Sequence, residues 1–300
     1  MRPHRTAAAL AAAALGGSLV VAAATPAAAR PDSLRHHLIA AYDFDHPVRG
    51  NPAGERDRGR SGTAIDLVNG GAAMRVRDGR GHALQTGQRP GANDDWKAGT
   101  YSATGVTSLR AFNAVREVTI MGWFKTTGQN PSPNTNTPEP DDLYNAVGLA
   151  GILSGNSAGH DVRALLEVIN VSGELRVVAL ARRVDGSASQ TFAASEPWQS
   201  VLPPNTWVHL TATFDFDNAV MRLYKNGRPL DGFTTVAGDP WAVEGPPEPD
   251  VTTATDPRGI KIGGSFPQND REQNPCACRM DGLKFFDRAL TGREVLRLAR

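Results

Sequence analysis

Acidic residues recur one position apart along the chain, among them Asp43/Asp45, Glu55/Asp57, Glu139/Asp141, Asp215/Asp217 and Glu248/Asp250. Two carboxyl groups flanking a sugar bond are what glycoside hydrolysis requires, one to donate a proton and one to act as base or nucleophile. On a strand, positions i and i+2 face the same side, so such a pair could enter one groove. Of these pairs only Asp43 falls in a strand-like run, "HLIAAYDF", with Asp45 just past its end. Glu55/Asp57, Glu139/Asp141 and Glu248/Asp250 stand in Gly- or Pro-rich stretches, and Asp215/Asp217 form a turn. Carboxylate catalysis would therefore need acids from distant strands. "GILSGNSAGHD", residues 151 to 161, holds Ser, His and Asp, but a nucleophilic triad needs those groups converging in a line of hydrogen bonds. Crowded into one turn-rich segment, they read as solvated loop. No Gly-rich phosphate cradle, His-Glu-x-x-His helix or Gly-x-Ser-x-Gly elbow is present.

The only cysteines, Cys276 and Cys278, are separated by Ala277. They have no second ligand pair at zinc spacing, whereas oxygen donors are abundant, which favours calcium over a transition metal. An oxidising compartment favours a bond between the two thiols, although linking i to i+2 departs from the geometry a disulfide prefers. Neither a neighbouring His nor a helix start is there to lower a thiol pKa, so the pair reads as structural.

Flat rings are the remaining source of function, because an aromatic side chain offers apolar area with little entropy to lose. Trp96, Tyr101, Tyr144, Trp198 and Trp241 lie in or beside long irregular stretches and are the candidate ligand-binding rings. The alternative for each is an anchor that pins its loop, since Trp is highly buried on average. Trp123 and Trp207 stand in strand motifs and are expected in the core.

These residues are carried by short alternating runs bounded by Gly, Asn, Asp and Pro, the pattern of an all-β chain. The runs include "EVTIMGWFKT", "RALLEVIN", "ELRVVALARR", "WVHLTATFD", "AVMRLYKN" and "RMDGLKFFD". Helical periodicity is confined to "TGREVLRLAR" at the end, where Thr291 and Glu294 have the spacing of a capping box. Residues 127–142 and 239–258 are long Pro-rich insertions, and 88–105 is similar; loops of that length usually carry function or lack order.

The first 29 residues combine a basic head, an Ala-rich apolar centre and a small-residue end, "ATPAAA". That is the pattern of a cleaved secretory signal, and the apolar part falls short of a membrane span. The expectation is an exported, soluble mature chain, residues 30–300, forming one domain and needing no membrane after cleavage. Loss of Arg2 and Arg5 with the leader takes the formal charge from +1 to −1. A near-neutral chain has no electrostatic footprint for nucleic acid or an anionic membrane.

In "WVHLTATF" Val208, Leu210, Ala212 and Phe214 share one face and Trp207, His209, Thr211 and Thr213 the other. Met221 and Leu223 continue the apolar face, and Asn226-Gly227 supplies the positive φ of a tight hairpin turn. His209 has no carboxylate, Ser or Cys at a useful spacing and reads as a structural strand histidine. This hairpin, with "GHALQT", "EVTIMGWFKTT", "IKIGGS" and "CRMDGLKFFDRALTGREVLRLAR" in order, resembles the laminin-G-like, concanavalin A-like jelly-roll domains. The resemblance spans roughly residues 38 to 300 and implies a two-sheet antiparallel sandwich with a short C-terminal helix. It also implies sugar or protein ligands, and a structural calcium held by an acid near the last strand and groups near the first. Asp281 in "RMDGLKFF" and Asp43 in "AYDFD" match those places. The laminarinase-like Glu-x-Asp-x-Glu pattern of enzymes on this fold is absent.

The expected function is a secreted, non-catalytic module that binds an extracellular glycan or cell-wall polysaccharide. A glycan-cleaving hydrolase or lyase with dispersed carboxylates, and a structural or adhesive module contacting a protein, stay open as alternatives.

Overall fold

The computed structural model describes residues 34–67, 75–79, 81–87, 98–99, 115–130, 147–153, 164–182, 189–235, 259–264, 267–268, 271–272 and 276–300. Residues 1–29, expected to be a signal, lie outside them, as do most of the insertions. Period-two runs become antiparallel strands in two large sheets, as the alternation requires. The first sheet runs β15 (Arg228–Pro229), β14 (Val220–Lys225), β13 (Val208–Asp215), β8 (Glu117–Thr126), β20 (Cys278–Phe286), β6 (Gly81–Gln85), β5 (Arg75–Asp78), with β1 (Leu38–Tyr42) also paired to β20. The second runs β16 (Gly232–Thr234), β12 (Ser189–Ala194), β11 (Glu174–Arg182), β10 (Ala164–Val171), β9 (Val147–Leu153), β17 (Gly259–Ile262), β7 (Ala98–Gly99), β4 (Ile65–Leu67), β3 (Asn51–Glu55), β2 (Pro47–Val48). A small ribbon pairs β18 (Pro267–Gln268) with β19 (Arg271–Glu272).

The two sheets close over one core. β8 gives Val118, Ile120 and Phe124, β13 gives Val208, Leu210, Ala212 and Phe214, and β20 gives Met280, Leu283 and Phe285. They meet Leu149, Leu166, Val168, Val177, Ile260 and Ile262 from the second sheet. Gly122 keeps the parity of β8 but has no side chain, because a Cβ there would lie 2.4 Å from Leu283 Cδ2. The hairpin turn is as expected, with Asn226 at φ 51° and Gly227 at φ 79°. Cys276 and Cys278 are joined as a disulfide and fully buried.

The C-terminal helix α2 (Gly292–Leu298) starts on the expected capping box, Thr291 and Glu294 bonding reciprocally. It is too short to persist alone and docks on the outer face of the first sheet. There Leu34, Met121, Tyr224, Phe286, Leu290 and Val295 form a second, smaller core. A further helical turn, α1 (Trp198–Val201), was not expected from the sequence. It begins at Pro197, and it carries Trp198 into the main core at 6% exposure.

Phe214 is fully buried, with its ring 6.1 Å from that of Phe216. Phe214→Ala should destabilise the protein by about 3 to 5 kcal/mol, the scale of a buried Phe truncation that leaves a cavity. Chemical denaturation checks this, and an unchanged midpoint would take Phe214 out of the core.

Candidate functional site

The pleat that buries Phe124 and Leu210 sends their neighbours to the outer face of the first sheet. Cross-strand register aligns those neighbours in rows. His209 on β13 lies opposite Trp123 on β8, which lies opposite Asp281 on β20. One step along, Lys125 lies opposite Arg279, which lies opposite Gln85 on β6. Trp207, just ahead of β13, completes this second row with the Lys125 ammonium 4.8 Å from its ring centre. Trp123 and Trp207 are both partly exposed. The expectation that these two rings lie in the core is therefore corrected: their strands do build the core, but both rings have the opposite parity.

Asp78 ties the second row together. Its carboxylate accepts hydrogen bonds from Lys125 Nζ at 2.5 Å, Arg279 Nη1 at 2.8 Å and Trp207 Nε1 at 3.3 Å. Burial alone would raise this carboxyl, but the bonds from Arg279, Lys125 and Trp207 outweigh it and hold it at about 2. Arg279 Nε also donates to Gln85 Oε1 at 3.0 Å. The result is a fixed array of donors and acceptors beside two indoles.

The first row is held differently. His209 is buried and meets the Trp123 ring edge-on, centroids 5.2 Å apart at 78°. Burial, then the Lys284 charge, pulls its pKa down to about 4. The histidine is a neutral support for Trp123 at a structural strand position. Asp281 is half-buried, and its Oδ1 accepts from the Gly282 N–H at 2.6 Å. Burial pushes its carboxyl up to about 6 against that bond, with the charges of Asp43, Asp45 and Asp78 adding to the rise.

Asp43 and Asp281, the two acids matched to a metal, thus feel one another. Asp43 and Gly282 line one cavity of about 180 Å³. Asp43 Oδ1 is 2.7 Å from His46 Nδ1, and Arg58 lies 3.6 Å from Oδ2. Among the described residues, Asp43, His46 and Glu55 form a group whose ligand atoms lie within 4.8 Å of one another, and Asp281 is outside that group. Sequence reasoning missed His46 and read Glu55 as a loop acid, whereas Glu55 ends β3, fully buried and paired with Arg75 at 2.5 Å. Of the five candidate rings, Trp198 is an interior anchor rather than a presented face, while Trp96, Tyr101, Tyr144 and Trp241 lie outside the described residues.

The family's sequence profile matches residues 98–296, which hold β8, β13 and β20 with Trp123, Trp207, Lys125, Arg279 and Asp281. The chain belongs to the concanavalin A-like lectin/glucanases superfamily. Superfamily membership accounts for the two-sheet sandwich and its closing helix. No curated protein matches the sequence. Solved structures do match. The binding domain of botulinum neurotoxin DC, solved in complex with rat synaptotagmin II, aligns at TM-score 0.53 and 10% identity over 88% of this chain and 52% of that one. Trypanosoma rangeli sialidase in complex with 2,3-difluorosialic acid aligns at 0.51 and 14%, over 88% and 33%. The botulinum neurotoxin type G receptor binding domain aligns at 0.50 and 13%, over 88% and 51%. At such identities these neighbours speak for the fold alone, and the chain spans about half or less of each.

The two titrating groups of the first row predict opposite pH effects. His209 has a folded pKa below its ordinary 6.5, so its contribution is complete above that value and is lost as pH falls toward about 4. Asp281 has a folded pKa above its ordinary 3.8, so its contribution is complete below that value and is lost as pH rises through about 6. Between pH 7 and pH 5, His209 should cost the protein about 2 kcal/mol. His209→Gln should remove that fall and leave the opposing rise from Asp281, and Asp281→Asn should steepen the net fall. Urea denaturation at both pH values checks this; identical slopes in wild type and His209→Gln would overturn it.

Proposed function

We propose that the protein is a secreted, non-catalytic carbohydrate-binding module that holds an extracellular glycan or cell-wall polysaccharide on the open half of the first sheet's outer face. One observation carries the reading: Trp123 and Trp207 stand partly exposed in adjacent rows, beside the bonded array of Asp78, Lys125, Arg279 and Gln85. A sugar offers apolar C–H patches and a ring of hydroxyls, and recognition calls for flat apolar surfaces with a few fixed polar groups. Rigid strands supply both here.

Binding to a glycan array, followed by calorimetry with the best ligand, tests the proposal. Trp123→Ala and Trp207→Ala should each weaken the glycan by roughly 1.5 to 3 kcal/mol, the scale of one buried aromatic contact, with the fold retained. Unchanged affinity per folded molecule in both variants would move the ligand to the insertions that carry Trp96, Tyr101, Tyr144 and Trp241.

A second reading, cleavage of the glycan on the same face, is favoured by the split between Asp281, raised to about 6, and Asp78, held at about 2. Acids pushed apart in this way suit a proton donor and an ionised partner. Asp78 is nonetheless committed to three donors, which suits an anchor better than a nucleophile. Release of reducing ends that disappears in Asp281→Asn would favour cleavage.

We also infer a structural calcium near Asp43 and Asp281. The like-charge crowding of Asp43, Asp45 and Asp281 is what a divalent cation relieves, and carboxylate oxygens suit calcium. Calcium that binds only the folded state should raise the melting temperature, by about 2.7 kcal/mol of added stability at a hundredfold excess over its Kd. Asp281→Ala should abolish the response. A melt indifferent to chelator at neutral pH would remove the site.

A further inference from the structure

The small core under α2 is not closed on all sides. At its edge lies a cavity of about 320 Å³, within the range of small-molecule sites. Its apolar lining comes from Leu34, Leu38, Phe286 and Leu298. Three cations, Arg35, Lys284 and Arg297, line the same space, Arg297 with a partner of its own, and among the described residues no acid lines it. The charge is one-sided and the interior is apolar.

Lys284 is the informative member. It lies on β20 opposite Met121, beyond the irregularity at Gly282, and is partly buried. Among the described residues its ammonium makes no ion pair or hydrogen bond, although Lys284 also lines the adjoining cavity that holds Asp43. Burial lowers its pKa, and the Asp281 charge opposes that only in part. An ammonium in such surroundings is costly unless an anion joins it. Inorganic phosphate would answer the charge but leave the four apolar side chains unused. A neutral apolar molecule would fill the cavity and leave Lys284 unanswered.

We propose that this cavity is a binding site for a small monocarboxylate with an apolar body, a short-chain aliphatic or aryl acid. The carboxylate meets the Lys284 ammonium with Arg35 beside it, and the apolar body lies against Leu38, Phe286 and Leu298. The site lies on the helix-covered half of the first sheet, away from Trp123 and Trp207, and does not depend on the glycan reading.

Calorimetry and NMR titration of the mature chain with octanoate, and with octanol as its uncharged counterpart, test the proposal. Octanoate should saturate one site, with shifts at Leu38, Lys284 and Leu298, and bind about tenfold or more tightly than octanol, the scale of a charge-assisted hydrogen bond. Lys284→Met keeps the apolar stem and should lose that preference while melting at or above the wild-type temperature. Leu298→Trp fills the cavity and should block both probes. Should Lys284→Met fail to fold, the exposed Arg35→Gln takes its place, with a smaller loss of octanoate affinity expected. Equal affinity for octanoate and octanol, no saturation at millimolar octanoate, or wild-type octanoate binding by Leu298→Trp would each overturn the proposal.

Discussion

The pleat of three neighbouring strands, β13, β8 and β20, is the constraint from which the rest of the first sheet follows. Alternate residues must leave through opposite faces. Because Leu210, Phe124 and Met280 fill the space between the sheets, the side chains beside them have no place in that core. They must be covered by another element, paired with one another, or left to water. The first sheet uses all three. Met121 and Phe286 are covered by α2 and Leu34, Asp78, Lys125 and Arg279 pair among themselves, and Trp123 and Trp207 keep part of their surface in water.

The irregularity in β20 decides where covered and open halves meet. Pairing with β8 shifts between Asp281 and Lys284, and Gly282 in that gap has φ 58°, a conformation L side chains rarely adopt. The partner on the other edge changes there too, from β6 at Arg279 and Met280 to β1 from Leu283 onward. A bulge of this kind re-aims side chains. Asp281 is set against Trp123 and the acids of the open half, and Lys284 against Met121 at the edge of the covered half. The Asp281 carboxyl and the Lys284 ammonium thus leave the bulge toward different halves of the face, while the Asp281 charge still acts on Lys284.

Much of this was legible in the chain because strands with one dry face declare themselves. "EVTIMGWFKT" became β8 residue for residue, and Asn226-Gly227 marked the turn from β14 to β15 because positive φ selects those residue types. Asp43 acts on the Asp281 carboxyl as a neighbouring charge, but the group of ligand atoms around Asp43 is completed by His46 and Glu55 and not by Asp281. The side of the sheet on which a Trp ends was harder to read. Alternation gave Trp207 the same parity as His209 and Thr211, but not that this parity faces away from the sandwich. Trp198 misled in the opposite sense. Its neighbourhood of Glu, Pro and Ser reads as exposed loop, and only the turn of α1 rotates the ring inward. Pairings such as Asp78 with Arg279, 201 residues apart, have no local signal, because they are fixed by strand order rather than by spacing.

The second sheet has the same geometry and a different outcome, which bears on where a large ligand can be received. Leu166 and Val168 of β10 and Ile260 and Ile262 of β17 enter the core, so Glu167 and Lys261 between them belong to the opposite face. Both are fully buried. A charged side chain persists in such a place only when it is partnered, and a polysaccharide cannot reach it without first uncovering the sheet. The first sheet asks for no such rearrangement. Its polar array is already satisfied by internal bonds and its indoles are already at the surface, so a ligand there meets a preorganised face. That difference in accessibility, rather than any difference in strand architecture, is why the first sheet carries the functional reading.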